Sequence, residues 1–239
     1  MSAKSAEAVA RELWAEMESM VQPYATGVVA VPELIERTAF FPGGLGLWME
    51  KGAVLTQFPV RQIMVVGQDF NTLAKYEAAR ALKSEVGSSR TWQNLQRVFA
   101  RFNIPLQRCF FTNVYMGLRA VGPETGRFPG ARDPAFVDRC INFFQRQMIV
   151  ARPKLILTLG WEPLRVLAPR VFGIKAPATL SACDEIYSPI HLPHGDSAVV
   201  ALTHPSLYNA NVFRRRYAGF VGIEAEKAMV DAARSVVRW

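Results

Sequence analysis

Short apolar runs that alternate with helix-spaced segments constrain this chain more than any other feature. The runs Gln62 to Val66, Cys109 to Val114, Lys154 to Leu159 and Ala198 to Thr203 are almost continuously apolar. Leu73 to Lys83, Thr91 to Phe102, Pro134 to Val150, Glu162 to Ala168 and Tyr217 to Val237 instead space their apolar residues by three and four. A strand without alternation is buried on both faces, and strands separated by helices pair in parallel beneath them. The expectation is a single α/β domain with a central, mainly parallel four-stranded sheet flanked by helices, a three-layer α/β/α sandwich. Half of the 239 residues are hydrophobic, enough for one sizeable core. That composition excludes disorder, collagen and a disulfide mini-fold.

Residues 1–60 form an extension expected to pack on the α/β domain of residues 61–239. In it Val9, Leu13, Met17 and Met20 mark an amphipathic helix that Pro23 ends. A loop-rich stretch follows, and its Phe40, Phe41 and Trp48 need either a core or a partner. Three cysteines, Cys109, Cys140 and Cys183, lack any C-x-x-C spacing and leave one thiol over, which suits small core residues in a reducing cytosol. No apolar stretch approaches the ~18 residues of a spanning helix. Glu7, Glu12, Glu16 and Glu18 are wrong for a signal peptide. The expected setting is soluble and intracellular, with no membrane partner.

Each strand runs into a polar or glycine-containing segment: Gly67-Gln68-Asp69-Phe70, Asn113, Gly160 and His204-Pro205-Ser206. Ligands of open parallel sheets bind outside the carboxyl ends of the strands, so these ends share one edge and one candidate cleft. Asp69 brings a carboxylate and free backbone N–H groups there, with capping of the next helix as the plain alternative. Asn113 brings a carboxamide that donates and accepts at once, as reading a base edge requires; the alternative is a turn closure. Pro205 stops a strand at His204 and holds the imidazole at the edge. Leu207 and Tyr208 project just beyond, beside Arg214, Arg215 and Arg216. An apolar tip next to a cationic cluster suits wedging into a duplex while holding phosphates, though an arginine run is more often a solvated face. Ser88, Ser89 and Arg90, before a helix, suit a phosphate as well as a cap.

The charge balance agrees with a polyanionic partner. There are 28 Lys+Arg against 20 Asp+Glu, a net charge of +8, which favours nucleic acid first and anionic membrane second. His191 and His194 lie on a Pro-broken loop without a cysteine partner, a surface turn rather than a metal site. Ser206 lacks the Gly-x-Ser-x-Gly setting of a nucleophile.

In this order, Gly67-Gln68-Asp69, Thr112-Asn113-Val114, Arg152 to Gly160 and His204-Pro205-Ser206 resemble the motifs of the uracil-DNA glycosylase superfamily. The first and last look like the Gly-Gln-Asp-Pro-Tyr and His-Pro-Ser of its best-known branch, the middle ones like its iron–sulphur branch. The resemblance covers Gln62 to the C-terminus. It implies a monomeric base-excision repair enzyme that flips uracil, and other deaminated bases if the pocket admits them, out of single- or double-stranded DNA. Hydrolysis of the N-glycosidic bond then leaves an abasic site. By the same resemblance Asp69 and His204 are catalytic, and Gln68 and Asn113 bind the base; the family's stacking aromatic is not at its expected place near Ser84, and Phe70 takes that base-binding role by its chemistry alone. Ser88, Ser89, Arg90, Ser206, Leu207, Tyr208, Arg214, Arg215 and Arg216 contact DNA. No metal or organic cofactor is implied, and three cysteines fall short of the four-cysteine cluster set. The implied location is the cytoplasm, with the nucleoid. Phe70-Asn71 stands where the best-known branch has Pro-Tyr, whose Tyr is the bulky gate against the thymine methyl group, so Asn71 implies a looser gate and leaves the base range open. A protein that holds uracil or abasic DNA with little turnover is the alternative, and a nucleotide-handling α/β enzyme outside repair the third.

Overall fold

The computed structural model describes residues 4–35, 38–48, 57–83 and 90–239. α1 (Ala6–Met20) is capped by Ser5, whose hydroxyl accepts from the Ala8 N–H at 3.2 Å. Then come β1 (Val28–Val29), β2 (Ile63–Gly67), α2 (Leu73–Leu82), α3 (Arg90–Arg101), β3 (Cys109–Asn113), β4 (Leu118–Arg119), α4 (Pro134–Ala151), β5 (Leu155–Leu159) and α5 (Trp161–Leu167). The chain ends with β6 (Tyr187–Leu192), β7 (Gly195–Leu202), α6 (Tyr208–Asn211), the β8 (Arg216–Tyr217) and β9 (Phe220–Val221) pair, and α7 (Ile223–Val236).

The main sheet has the order β3-β2-β5-β7-β6, with the first four strands parallel. Along β2, Met64 and Val66 face α4, α1 and α5, while Ile63 and Val65 face α3 and α7. The period of two explains why the strand reads as an unbroken apolar run: both faces are roofed by helices. The fifth strand, β6, pairs antiparallel to β7 and adds to the four expected. It escapes a reading by apolar runs because Ile190 is its only buried residue and Pro189 removes a ladder donor, as edge strands allow. The last helix starts at Ile223 rather than Tyr217, because Gly219 and Gly222 take positive φ of 83° and 68° and close the β8–β9 hairpin first. His191 and Asp196 pair across the β6–β7 hairpin, with Nδ1 2.8 Å from Oδ1 and both side chains exposed.

Phe40, Phe41 and Trp48 find a core. Phe41 is fully buried and stacks on Phe143 at 5.6 Å, and Phe40 meets the Phe111 edge at 5.4 Å. Residues 38–48 run beside β3, where Phe41 N–H donates to Phe111 O and Phe111 N–H to Gly46 O. All three cysteines are free and buried, and burial pushes the Cys183 thiol up to about 11 and Cys140 to about 12, which suits packing rather than thiolate chemistry. Among the described residues no helix is long and apolar enough to cross a membrane.

Candidate active site at the carboxyl edge of the sheet

Parallel pairing puts the strand ends in register: Gly67 lies opposite Asn113, and Leu159 opposite Leu202. The chain turns one way from β2 to β3 and the other way to β5, a switch point where parallel sheets open a crevice. A cleft of about 610 Å3 opens there, and Gln68, Asp69, Asn113 and His204 all line it.

Gly67 ends β2, and a Cβ there would stand 2.3 Å from Asn113 Oδ1. Only glycine lets the neighbouring carboxamide lie against the strand end. Asn113 is 2% exposed, and one of its amide hydrogens goes to Phe41 O at 2.8 Å. A primary amide then has a second N–H and its oxygen for a ligand.

Asp69 does not cap α2. That task falls to Thr72, whose hydroxyl accepts from Lys75 N–H. Asp69 Oδ1 accepts from Asn71 N–H at 2.9 Å, an Asx turn that carries Asn71 at φ +92°. Its oxygens also receive Arg119, with Nη2 to Oδ2 at 2.8 Å and Nε to Oδ1 at 3.3 Å. The two side chains are 7% and 3% exposed, a buried two-point ion pair. Arg119 was not among the residues expected from the sequence. Its one signal there is that it is the sole charge between Cys109 and Pro123.

His204 follows β7, and its Nδ1 accepts from Ser206 N–H at 3.2 Å and lies 2.8 Å from Ser206 Oγ. An accepting Nδ1 puts the proton of the neutral ring on Nε2. Burial holds the imidazole below its ordinary pKa, against an opposing pull from the Asp69 charge. The group is therefore a neutral donor at pH 7. Behind it, Glu226 of α7 accepts at Oε1 from Thr203 N–H (2.6 Å) and Thr203 Oγ1 (2.7 Å). Burial raises the Glu226 pKa, while hydrogen bonds from Thr203 and the Arg215 charge lower it.

Gln68 lines the cleft, but its side-chain amide donates to Gly126 O at 3.2 Å. Phe70 lies at the cleft with its ring against Tyr76, centroids 6.3 Å apart, and a Cβ on Gly43 would stand 2.0 Å from its Cζ. Phe40 is a second cleft aromatic, unforeseen as a site residue.

The expected DNA contacts divide. Ser88 and Ser89 lie outside the described residues, and Arg90 opens α3. Ser206 and Leu207 line the cleft, and Leu207 is 51% exposed. Tyr208 is a correction: it is buried under the short α6 and does not project beside Leu207. Arg214 and Arg216 are exposed. Arg215 is the second correction. At 1% exposure it donates to Leu180 O, Cys183 O and Ala201 O and pairs with Asp184 at 2.8 Å and Glu226 at 3.2 Å. Arg214 ends a short 3-10 turn and Arg215 leaves it with an extended backbone (φ −68°, ψ 140°), and at this break the middle arginine turns inward.

A family model for the uracil DNA glycosylase superfamily matches residues 59–226. The chain belongs to that superfamily. No curated protein matched it. Superfamily membership accounts for an α/β domain of this form and supports a uracil-DNA glycosylase-like function, with DNA as the polymer acted on. Residues 38–48 lie outside the matched span, yet Phe40 reaches the cleft and Phe41 O holds Asn113.

Proposed function

We propose that this superfamily member hydrolyses the N-glycosidic bond of uracil flipped out of DNA, and acts as a monomer in base-excision repair in the cytoplasm. The observation that carries the reading is that Asp69, Asn113 and His204, from the ends of three parallel strands, line one cleft with exposed Leu207 beside them. In this mechanism Asn113 meets the pyrimidine edge through its second N–H and its oxygen. As the C1′–N1 bond breaks, its electron pair leaves with the base and negative charge gathers on O2, where the Nε2–H of His204 donates. The sugar becomes oxocarbenium-like, and Asp69 stabilises it as carboxylates do in glycoside hydrolysis. A water oxygen adds to C1′, and its proton passes by way of the Asp69 carboxylate to the departing uracil anion, leaving an abasic site and neutral uracil. A fixed donor aimed at the leaving anion is worth a few kcal/mol of barrier.

The second reading, a uracil or abasic-DNA binder with little turnover, draws support from the ion pair that offsets the Asp69 charge. Alkali-revealed strand cleavage of a single-uracil oligonucleotide separates the two. Cleavage is expected on U:G, U:A or single-stranded substrate. None on any of them, with a mobility shift on abasic DNA, would establish the binder.

Leu207 gives a finer expectation. Filling the gap left by a flipped base matters only where there is a stack to fill. Leu207→Ala should therefore slow excision from duplex about tenfold, or about 1.4 kcal/mol, and leave single-stranded substrate within about threefold. Equal slowing of both would remove the wedge role.

A further inference from the structure

Residues 121–127, Val-Gly-Pro-Glu-Thr-Gly-Arg, form one wall of the cleft through Glu124, Thr125 and Gly126. Every residue in this stretch is exposed, Val121 by 79%. With no buried apolar side chain, the hydrophobic effect does not hold the segment in place. Its one ion pair among the described residues, Glu124 to Lys75 at 3.2 Å, joins two half-exposed side chains and contributes little.

Arg119 holds the segment from beneath. Its Nη2 donates to Gly126 O at 2.9 Å, and its Nη1 lies 3.3 Å from Arg127 O and 3.4 Å from both Pro123 O and Thr125 O. The same guanidinium holds both Asp69 oxygens. Its backbone is fixed by the pairing of β4 with β1 and by Arg119 N–H on Asn71 O. The planar fork thus faces a carboxylate on one side and a loop's carbonyls on the other, an arrangement open to Arg and closed to Lys.

We propose that Arg119 is a positioning residue that fixes the Asp69 carboxylate and the 121–127 wall as one unit, so that a nucleotide pressing on the wall meets a carboxylate already aimed at its sugar. The inference rests on the excision reaction proposed above, and it adds that wall and carboxylate are coupled. Coupling is reciprocal. Loosening Asp69 loosens the wall, and loosening the wall mis-sets Asp69. An interaction that aims a reacting group slows the chemical step more than it weakens binding.

The test uses the full chain with Arg119→Lys and Asp69→Asn, backbone amide order parameters from NMR relaxation on both, and single-turnover kinetics on the first. The carbonyls of Pro123, Thr125 and Gly126 that Arg119 meets share peptide planes with the N–H groups of Glu124, Gly126 and Arg127. In Arg119→Lys the order parameters of these three amides should fall below about 0.6, while those of β2 and β5 stay at about 0.85. Its maximal excision rate should fall about 30-fold or more, with half-saturating DNA changed less than about threefold. Asp69→Asn should lower the same three order parameters although none of these residues is substituted. Wall order parameters unchanged in both variants, a loss spread evenly over β2 and β5, or equal losses in rate and affinity would each overturn the proposal. If the single variants fail to fold, the double variant Asp69→Asn/Arg119→Gln, which removes both charges of this pair, should show the same wall-specific loss of order, and a rigid wall there overturns the coupling. A wild type that releases no uracil would overturn the excision reading and Arg119's role in it, whereas the order parameters decide the coupling itself without reference to any activity.

Discussion

Asp69→Asn should slow uracil release in single turnover at least about 100-fold, the scale lost when one transition-state electrostatic contact is removed, with the affinity for uracil-containing DNA changed far less. The carboxylate is needed most when the sugar is positive, a charge that develops only as the bond breaks. Arg119 adds a consequence for the fold. The substitution leaves a 3%-exposed guanidinium without its anion, and breaking a buried pair on one side costs about 3–5 kcal/mol. In a chain of this length that lowers the melting temperature by roughly 6–20 °C, so rates belong well below the lowered transition. Equal loss of rate and binding in folded protein would reduce Asp69 to a structural partner of Arg119.

Arg215→Ala should cost about 3–5 kcal/mol of stability and leave the DNA affinity of the folded protein, and its salt dependence, unchanged. The guanidinium sits among three carbonyls and two carboxylates, and its removal leaves the fully buried Glu226 without a cation. The loss propagates toward the site, because Glu226 Oε1 also receives the two Thr203 donors directly before His204. Arg214→Ala and Arg216→Ala provide the contrast. Both side chains are exposed, and each should reduce the salt slope of binding by about one with little change in melting. Denaturant or thermal melts together with binding at several salt concentrations decide the matter. An Arg215→Ala protein that melts like wild type, or that alone lowers the salt slope, would return Arg215 to the DNA-facing surface.

The arginine run shows where one-dimensional reading stops. Three adjacent arginines make one positive patch on paper, but the chain leaves a 3-10 turn at the middle one, whose side chain turns inward to Asp184 and Glu226. Tyr208 is similar: adjacency to Leu207 suggests a shared tip, while the start of α6 turns its ring inward. Phe40 and Phe41 were legible as needing a core, since their bulk demanded burial. That this core lies beside the cleft depended on residues 38–48 running along β3.

The sequence by itself determined the parallel sheet, its helical cover and the strand ends from which Asp69, Asn113 and His204 reach one edge. These follow from periodicity and from the glycine or proline that ends an apolar run, signals spread over five or six neighbouring residues. The tertiary structure alone decided which charges are buried, and with what. Arg119 meets Asp69 across 50 positions, and Arg215 meets Asp184 across 31 and Glu226 across 11. Burying a charge is tolerable only where partners converge on it from several elements, and that convergence exists only once the chain has folded.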